Sequence, residues 1–288
     1  VQQFGALKKH KREAIFTICG NHDRNAPSEP EAHWFRNWID PMGENTEVSG
    51  VDINRFQYPP HGSFERYYVD IANIRILLMS DVNEASQPQG RGELGGNPGG
   101  VVTRDTFDWW VDQVESNHSD KIIITAHHYL LKNTTVATGE WEGMKRDVHG
   151  NWSTDYHGYY PDGTPHAASY LYWVGGKPGS SEFETWLNAN PNKVDFWLGG
   201  HTHTNPDDKH GGKGHIEAGY GGVTFVNVSA LTRWFVKSHA VPHSRLFTFE
   251  DGSDCAAIEC YMHSKDYREQ GFYPEKKKEI KLTKPFQI

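Results

Sequence analysis

Short apolar runs, each stopping at a polar or glycine-bearing corner, set the rhythm of this chain. Ala14–Cys19, Lys121–Ala126, Val194–Leu198 and Val223–Val228 are of strand length and rich in β-branched and aromatic residues, the pattern of buried strands. Glu65–Ile71 and Ile74–Ser80, joined at Ala72-Asn73, predict a hairpin. Arg245–Glu250 and Cys255–Met262 predict a second, turning at Asp251-Gly252.

Between the strands the period lengthens and predicts helices. Ser28 reads as an N-cap with acids in the first turn and Trp34, Phe35, Trp38 and Ile39 on one face, ended by Pro41. Thr103 caps a helix that carries Phe107, Trp110, Val111 and Val114. Ser181 and Glu184 have capping-box spacing and open a helix through Trp186 and Leu187. The β-α-β order predicts an α/β fold.

Two long stretches lack periodicity. The glycine-heavy segment Gln87–Gly100 is expected to be a mobile loop or to lie over a site. Leu131–Gly176 holds many Trp and Tyr among polar residues and reads as an insert that packs its own aromatics, or as a substrate-recognition cap. Gly176-Lys177 is no phosphate loop, because Leu171 stands where that motif needs Gly and Pro178 lacks a backbone donor. No Pro- or Gly-rich linker divides residues 1–288, so a single domain is expected.

Composition narrows the classes. A 288-residue chain with 36% hydrophobic residues can bury a sizeable core. A net charge of -8, with acids spread along the chain, disfavours a nucleic-acid binder, which needs a basic stripe. No apolar stretch approaches the roughly 20 residues of a membrane helix, so no membrane partner is expected. Three cysteines are too few for a disulfide framework and are expected to be free and reduced, and the compartment is not read from the chain. Cys255 and Cys260, five apart on one strand, point to opposite faces.

The candidate chemistry lies where the strands stop. Gly20-Asn21-His22-Asp23 follows Cys19, His127-His128 follows Ala126, and Gly200-His201-Thr202-His203 follows the Val194–Leu198 run. With 17 His in the chain, about one His-x-His pair arises by chance. The repeated placement of His at strand ends is the informative part, since ligand sites of α/β proteins lie there.

These three motifs, in this order, resemble the last three signature motifs of the calcineurin-like metallophosphoesterase superfamily. The spacing covers nearly the whole chain, the identities about ten residues. The resemblance implies a two-sheet β-sandwich flanked by helices, in four αββα layers. It implies two divalent metal ions (Mn, Fe or Zn), with Asn21, His127 and His201 on one and His203 on the other. His127 comes first after the strand, while Tyr129 replaces the usual Pro, so His128 stays a candidate for the same role. His22 would be the acid beside the leaving group, and Asp23 would either orient it or bond within its own loop.

The family's opening motifs, Asp-x-His and Gly-Asp-x-x-[Asp/Glu], supply further ligands and the bridging carboxylate. Residues 1–19 contain no Asp and a single His, His10. The expectation is therefore a chain missing its first β-α segments, with a half-built site that holds at most one metal tightly.

The function expected from the resemblance is hydrolysis of a small-molecule phosphoester by a metal-bridged hydroxide, with a phosphodiester favoured. A phosphomonoesterase is the nearest alternative. A non-catalytic metal-binding or scaffold relative, its site kept as a folding staple, is the reading from a different class.

Overall fold

The computed structural model describes residues 8–21, 23, 34–81, 99–139, 145–146, 149, 152–153, 169–175, 181–231 and 240–288. Its elements begin with a short helix α1 (Thr46–Ser49), followed by β1 (His61–Gly62), β2 (Arg66–Ile71), β3 (Ile74–Met79), β4 (Val101–Val102), α2 (Arg104–Asn117) and β5 (Ile122–His127). Two short strands, β6 (Lys145–Arg146) and β7 (Trp152–Ser153), pair with each other. Then come β8 (Trp173–Val174), α3 (Glu182–Ala189), β9 (Phe196–Gly199), β10 (Ile216–Ala218) and β11 (Thr224–Asn227). The chain closes with β12 (His243–Phe249), β13 (Cys255–Met262), β14 (Gly271–Phe272) and β15 (Lys278–Lys281).

A seven-stranded mixed sheet runs in the order β1-β2-β3-β5-β9-β11-β10. Its central strands β3, β5, β9 and β11 are parallel, and its flanking pairs are antiparallel. The predicted hairpin of β2 and β3 forms with Ala72 in the left-handed region, at φ 52°. A four-stranded antiparallel sheet is built from β12, β13, β14 and β15.

Strand alternation sorts the large sheet's side chains between two cores. Leu77, Met79, Ile123, Trp197 and Phe225 face α2 and α3, where they meet Phe107, Trp110, Val114, Phe183 and Leu187. Trp110 lies edge-on to Phe183, at 5.0 Å between centroids, and its Nε1 donates to Thr125 Oγ1 at 2.9 Å. The intervening residues Ile74, Ile122, Ile124, Phe196 and Val226 face the second sheet, against Ala256, Ile258, Phe247 and Phe249. The result is an α/β architecture of two packed sheets with helices on the outer face of one.

Thr103 caps α2 as expected, its Oγ1 accepting from Thr106 N at 3.1 Å. Other expectations are corrected. Residues 15–20 are extended but pair in no strand; Tyr67 Oη instead donates to Thr17 O, and Asp81 N to Cys19 O. The Ser181 side chain makes no capping bond, and α3 is tied at its start by a bidentate ion pair from Arg104 to Glu182. Of the predicted helix from Ser28, the described part is one wide turn, Phe35–Ile39, closed by Asp40 N to Phe35 O. Trp34 and Trp38 stack on each other in the open while Phe35 is buried. Asp40, at φ 49°, ends that turn and accepts from Glu44 N, Asn45 N and Ser49 Oγ.

The segment Gln87–Pro98 and most of the 131–176 insert lie outside the described residues. The described part of the insert includes a small aromatic cluster. Tyr170, Tyr172 and Trp173 form a buried cluster with Val101, and β8 pairs with β4. Cys255 is exposed, Cys19 and Cys260 are buried, and none of the three is in a disulfide.

Candidate functional site

All four parallel strands end at the same rim. Met79 is in register with His127, Ala126 with Leu198, and Gly199 with Asn227. The residues that follow, Asp81, His128, His201 and Ser229, therefore gather where an open α/β sheet places ligand sites. The extended segment 15–20 crosses the end of β3, held by Cys19 N to Ser80 Oγ at 3.0 Å and Asp81 N to Cys19 O at 2.8 Å. That crossing carries Gly20 and Asn21 over the rim.

Gly20–Asp23 is a turn, with Asp23 N donating to Gly20 O at 3.1 Å and Gly20 N to Asp23 Oδ2 at 2.7 Å. The Asp23 carboxylate thus bonds within its own loop. His22 lies outside the described residues. Gly20 permits the close approach of His128, because a Cβ at that position would stand 3.0 Å from His128 Nδ1.

Three donor atoms converge. His128 Nε2 lies 2.9 Å from Asn21 Oδ1 and 3.2 Å from His201 Nδ1. The Asn21 oxygen can only accept, so the proton of this cluster sits on a ring nitrogen. With the ring protons on the opposite nitrogens, His128 Nε2 and His201 Nδ1 would offer lone pairs beside the Asn21 oxygen. Ligands about 2.1 Å from a cation stand about 3.0 Å apart at a right angle and about 3.4 Å apart at the tetrahedral angle, and the two separations at His128 fall in that range. Oxygen plus imidazole suits Mn, Fe or Zn.

His127 is oriented differently, for a reason of strand parity. It shares the helix-side face of β5 with Ile123 and Thr125, is buried, and its Nδ1 accepts from Tyr129 N at 3.0 Å. Its buried Nε2 has no hydrogen-bond partner of good geometry among the described residues, and the Val101 backbone favours the charged ring. The Tyr129 ring lies 6.0 Å from that of His127 and 4.0 Å from that of His201. It is therefore His128 that meets Asn21 and His201.

Burial lowers the pKa of His127, with Asp81 opposing. His128 is pushed well below the usual imidazole value by burial and then by neighbouring His201, again against Asp81. Both rings are neutral near pH 7, the state in which imidazole binds metal. His203 is close enough for its charge to act on His128.

The dihistidine loop is strained. His201 and His203 both occupy the left-handed region, at φ 53° and 45°, and Thr202 N bonds back to Gly200 O at 2.6 Å around His201. Such positions cost of order 1–3 kcal/mol each and gather at functional sites.

The chain matches no protein-family model, and no curated protein matches it significantly. Among the described residues, no group of three or more His, Cys, Asp or Glu is placed to hold a metal. The convergence consists of two imidazoles and one amide.

Asp81 was missed in the sequence. It is buried at the rim, accepts from Val101 N at 2.6 Å, and opposes the depression of both His127 and His128. The rule that singled out His127, a polar residue just past an apolar strand, applies equally to Asp81 after β3.

Proposed function

We propose that this chain is a metal-dependent phosphoester hydrolase of the calcineurin-like metallophosphoesterase kind, with a phosphodiester as the favoured substrate. The observation that carries this reading is the approach of Asn21 Oδ1, His128 Nε2 and His201 Nδ1 to within 2.9 and 3.2 Å at the rim of the parallel strands. The packing of two sheets with outer helices supports the family's layered fold. Strain at His201 and His203 supports a functional loop.

In this reading Asn21, His128 and His201 hold one divalent cation, and His203 stands beside it for a second. Buried His127 supports the rim from below. Bound metal supplies Lewis-acid polarisation of a phosphoryl oxygen and acidifies a water. Asn21 fixes one donor through its uncharged oxygen, leaving the cation's charge available to a phosphate. Asp81 offsets part of that charge from beneath. Asp23 keeps the Gly20–Asp23 turn closed, which orients Asn21, and His22 is assigned proton donation to the leaving oxygen.

A second reading has one observation in its favour. The absence, among the described residues, of a cluster of three His or carboxylate ligands fits a non-catalytic relative whose metal is a folding staple.

The test is hydrolysis of an aryl phosphodiester and an aryl phosphomonoester in Mn2+, with metal content measured on the same samples. Wild type should turn over the diester faster, and His201→Ala and His128→Ala should abolish turnover. Full activity in His201→Ala would refute the proposal, and metal binding with no turnover of either ester would favour the staple.

A further inference from the structure

The left-handed histidines need something to hold them, and the residues that do so lie at the end of β11. Asn227 is fully buried. Its Oδ1 accepts from Ser229 N at 2.9 Å, and its Nδ2 donates to Thr202 Oγ1 at 2.7 Å. A backbone N–H can only donate, so the Ser229 contact settles which end of the amide carries the oxygen. Thr202 is the residue between His201 and His203.

The surroundings keep Asn227 in place. Its backbone N donates to His215 O at 2.7 Å, and Ser229 Oγ donates to Thr204 O at 2.6 Å. His215 Nε2 in turn bonds to Asn205 O at 2.7 Å, and Asn205 Oδ1 accepts from Val241 N. Gly200 approaches Ser229 so closely that a Cβ on it would meet Ser229 O at 3.0 Å. The loop from 200 to 205 is thus tied at successive points to the β11 end, and the Asn227–Thr202 bond is the tie nearest both histidines.

We infer that Asn227 is a positioning residue for the metal centre, acting through the Thr202 hydroxyl to hold His201 and His203 in their ligand-presenting geometry. It touches neither metal nor substrate. The inference rests on the metal-centre reading above. It goes beyond it in assigning ligand geometry to an uncharged amide on a different strand. Supports of this kind usually change metal affinity by about 10–100-fold when removed.

Two near-isosteric changes break the tie from opposite ends. Asn227→Asp replaces the donor with an acceptor, and Thr202→Val removes the hydroxyl at a half-buried position. Thr202→Ser keeps the hydroxyl and serves as the rescue. The probe is Co2+ alone, titrated into the full chain and followed by calorimetry and d–d absorption, with circular dichroism and a melt of each metal-free variant.

Thr202→Val and Asn227→Asp should bind Co2+ about tenfold or more weakly with an altered d–d spectrum, while Thr202→Ser stays within about twofold of wild type. Folded Thr202→Val and Asn227→Asp with wild-type affinity and spectrum would overturn the inference. So would Thr202→Ser weakened as much as Thr202→Val. If Asn227→Asp does not fold, the Val and Ser pair decides alone. A wild type that takes up no Co2+ overturns the functional reading itself, an outcome distinct from equal binding by all variants.

Discussion

Acidification should destabilise this protein through two histidines outside the candidate site, His215 and His243. Both are buried, with 5% and 1% of their surface exposed, and their rings lie 5.9 Å apart. Burial, then Arg245 and His243, pull His215 down to about 3, against the Asn205 and Asn227 backbone. Burial pulls His243 down to about 4, against its bond to Val241 O.

In the unfolded chain both rings titrate near 6.5. Between the folded and unfolded values the unfolded state binds more protons, so stability is complete above about pH 6.5 and falls as the pH drops below it. At about 1.36 kcal/mol per pH unit, each ring removes about 2 kcal/mol by pH 5. Together that is about 4 kcal/mol, a large part of a typical folding free energy. His243→Asn keeps a donor for Val241 O and removes one titration. Urea unfolding followed by tryptophan fluorescence at pH 7.5 and 5.0 measures the loss in each protein. The variant's loss over this interval should be smaller than wild type's by about 2 kcal/mol. Equal losses in the two proteins would refute the reasoning, since His243 would then not be kept neutral by the fold.

Three further outcomes are expected. Asp207 accepts from Lys276, Tyr267, Tyr273 and Arg268 at 2.6 to 3.3 Å; burial pushes its pKa up, but these partners, Lys276 foremost, hold it well below the usual carboxylate range. Asp207→Asn should lower stability at pH 7 by about 2 kcal/mol, and the gap to wild type should close as the pH falls below 4, because that stability is lost on protonation; urea melts across pH check this. Buried Asp195 accepts from Ile123 N at 3.0 Å, Thr283 N at 2.7 Å and Thr283 Oγ1 at 3.1 Å, tying β5 to the C-terminal segment. Asp195→Ala should cost about 4 kcal/mol by stranding those donors, read as a drop in denaturation midpoint. Gly20→Ala places a methyl 3.0 Å from His128 Nδ1 and should weaken Mn2+ binding about tenfold, measured by calorimetry, whereas unchanged affinity would mean that the ring tilts away freely.

Much of the framework could be read locally. The alternation in Arg66–Ile71 and Ile74–Met79 and the break at Ala72 define a hairpin without outside help, and the strands ending at His127 and Gly199 stand where their apolar runs stop. The cap at Thr103 is equally local, since its partner is Thr106. Other features depended on distant chain. Ser181 had capping-box spacing, yet Arg104, far away in sequence, takes up the start of that helix through Glu182. Residues 15–20 carry strand composition, but only side chains and single backbone bonds hold them extended.

By itself, the sequence determined the kinds of group available at the rim, an amide at 21 and imidazoles at 127, 128, 201 and 203, because composition at a strand end is a local property. Tertiary structure alone decided which of them meet. Parity on β5 turns His127 toward the helices and leaves His128 to face Asn21, and the buried amide of Asn227 on a neighbouring strand braces the loop that presents His201. Direction beyond the last residue of a strand is set by backbone torsions, and these are fixed by contacts between segments that a linear pattern does not connect.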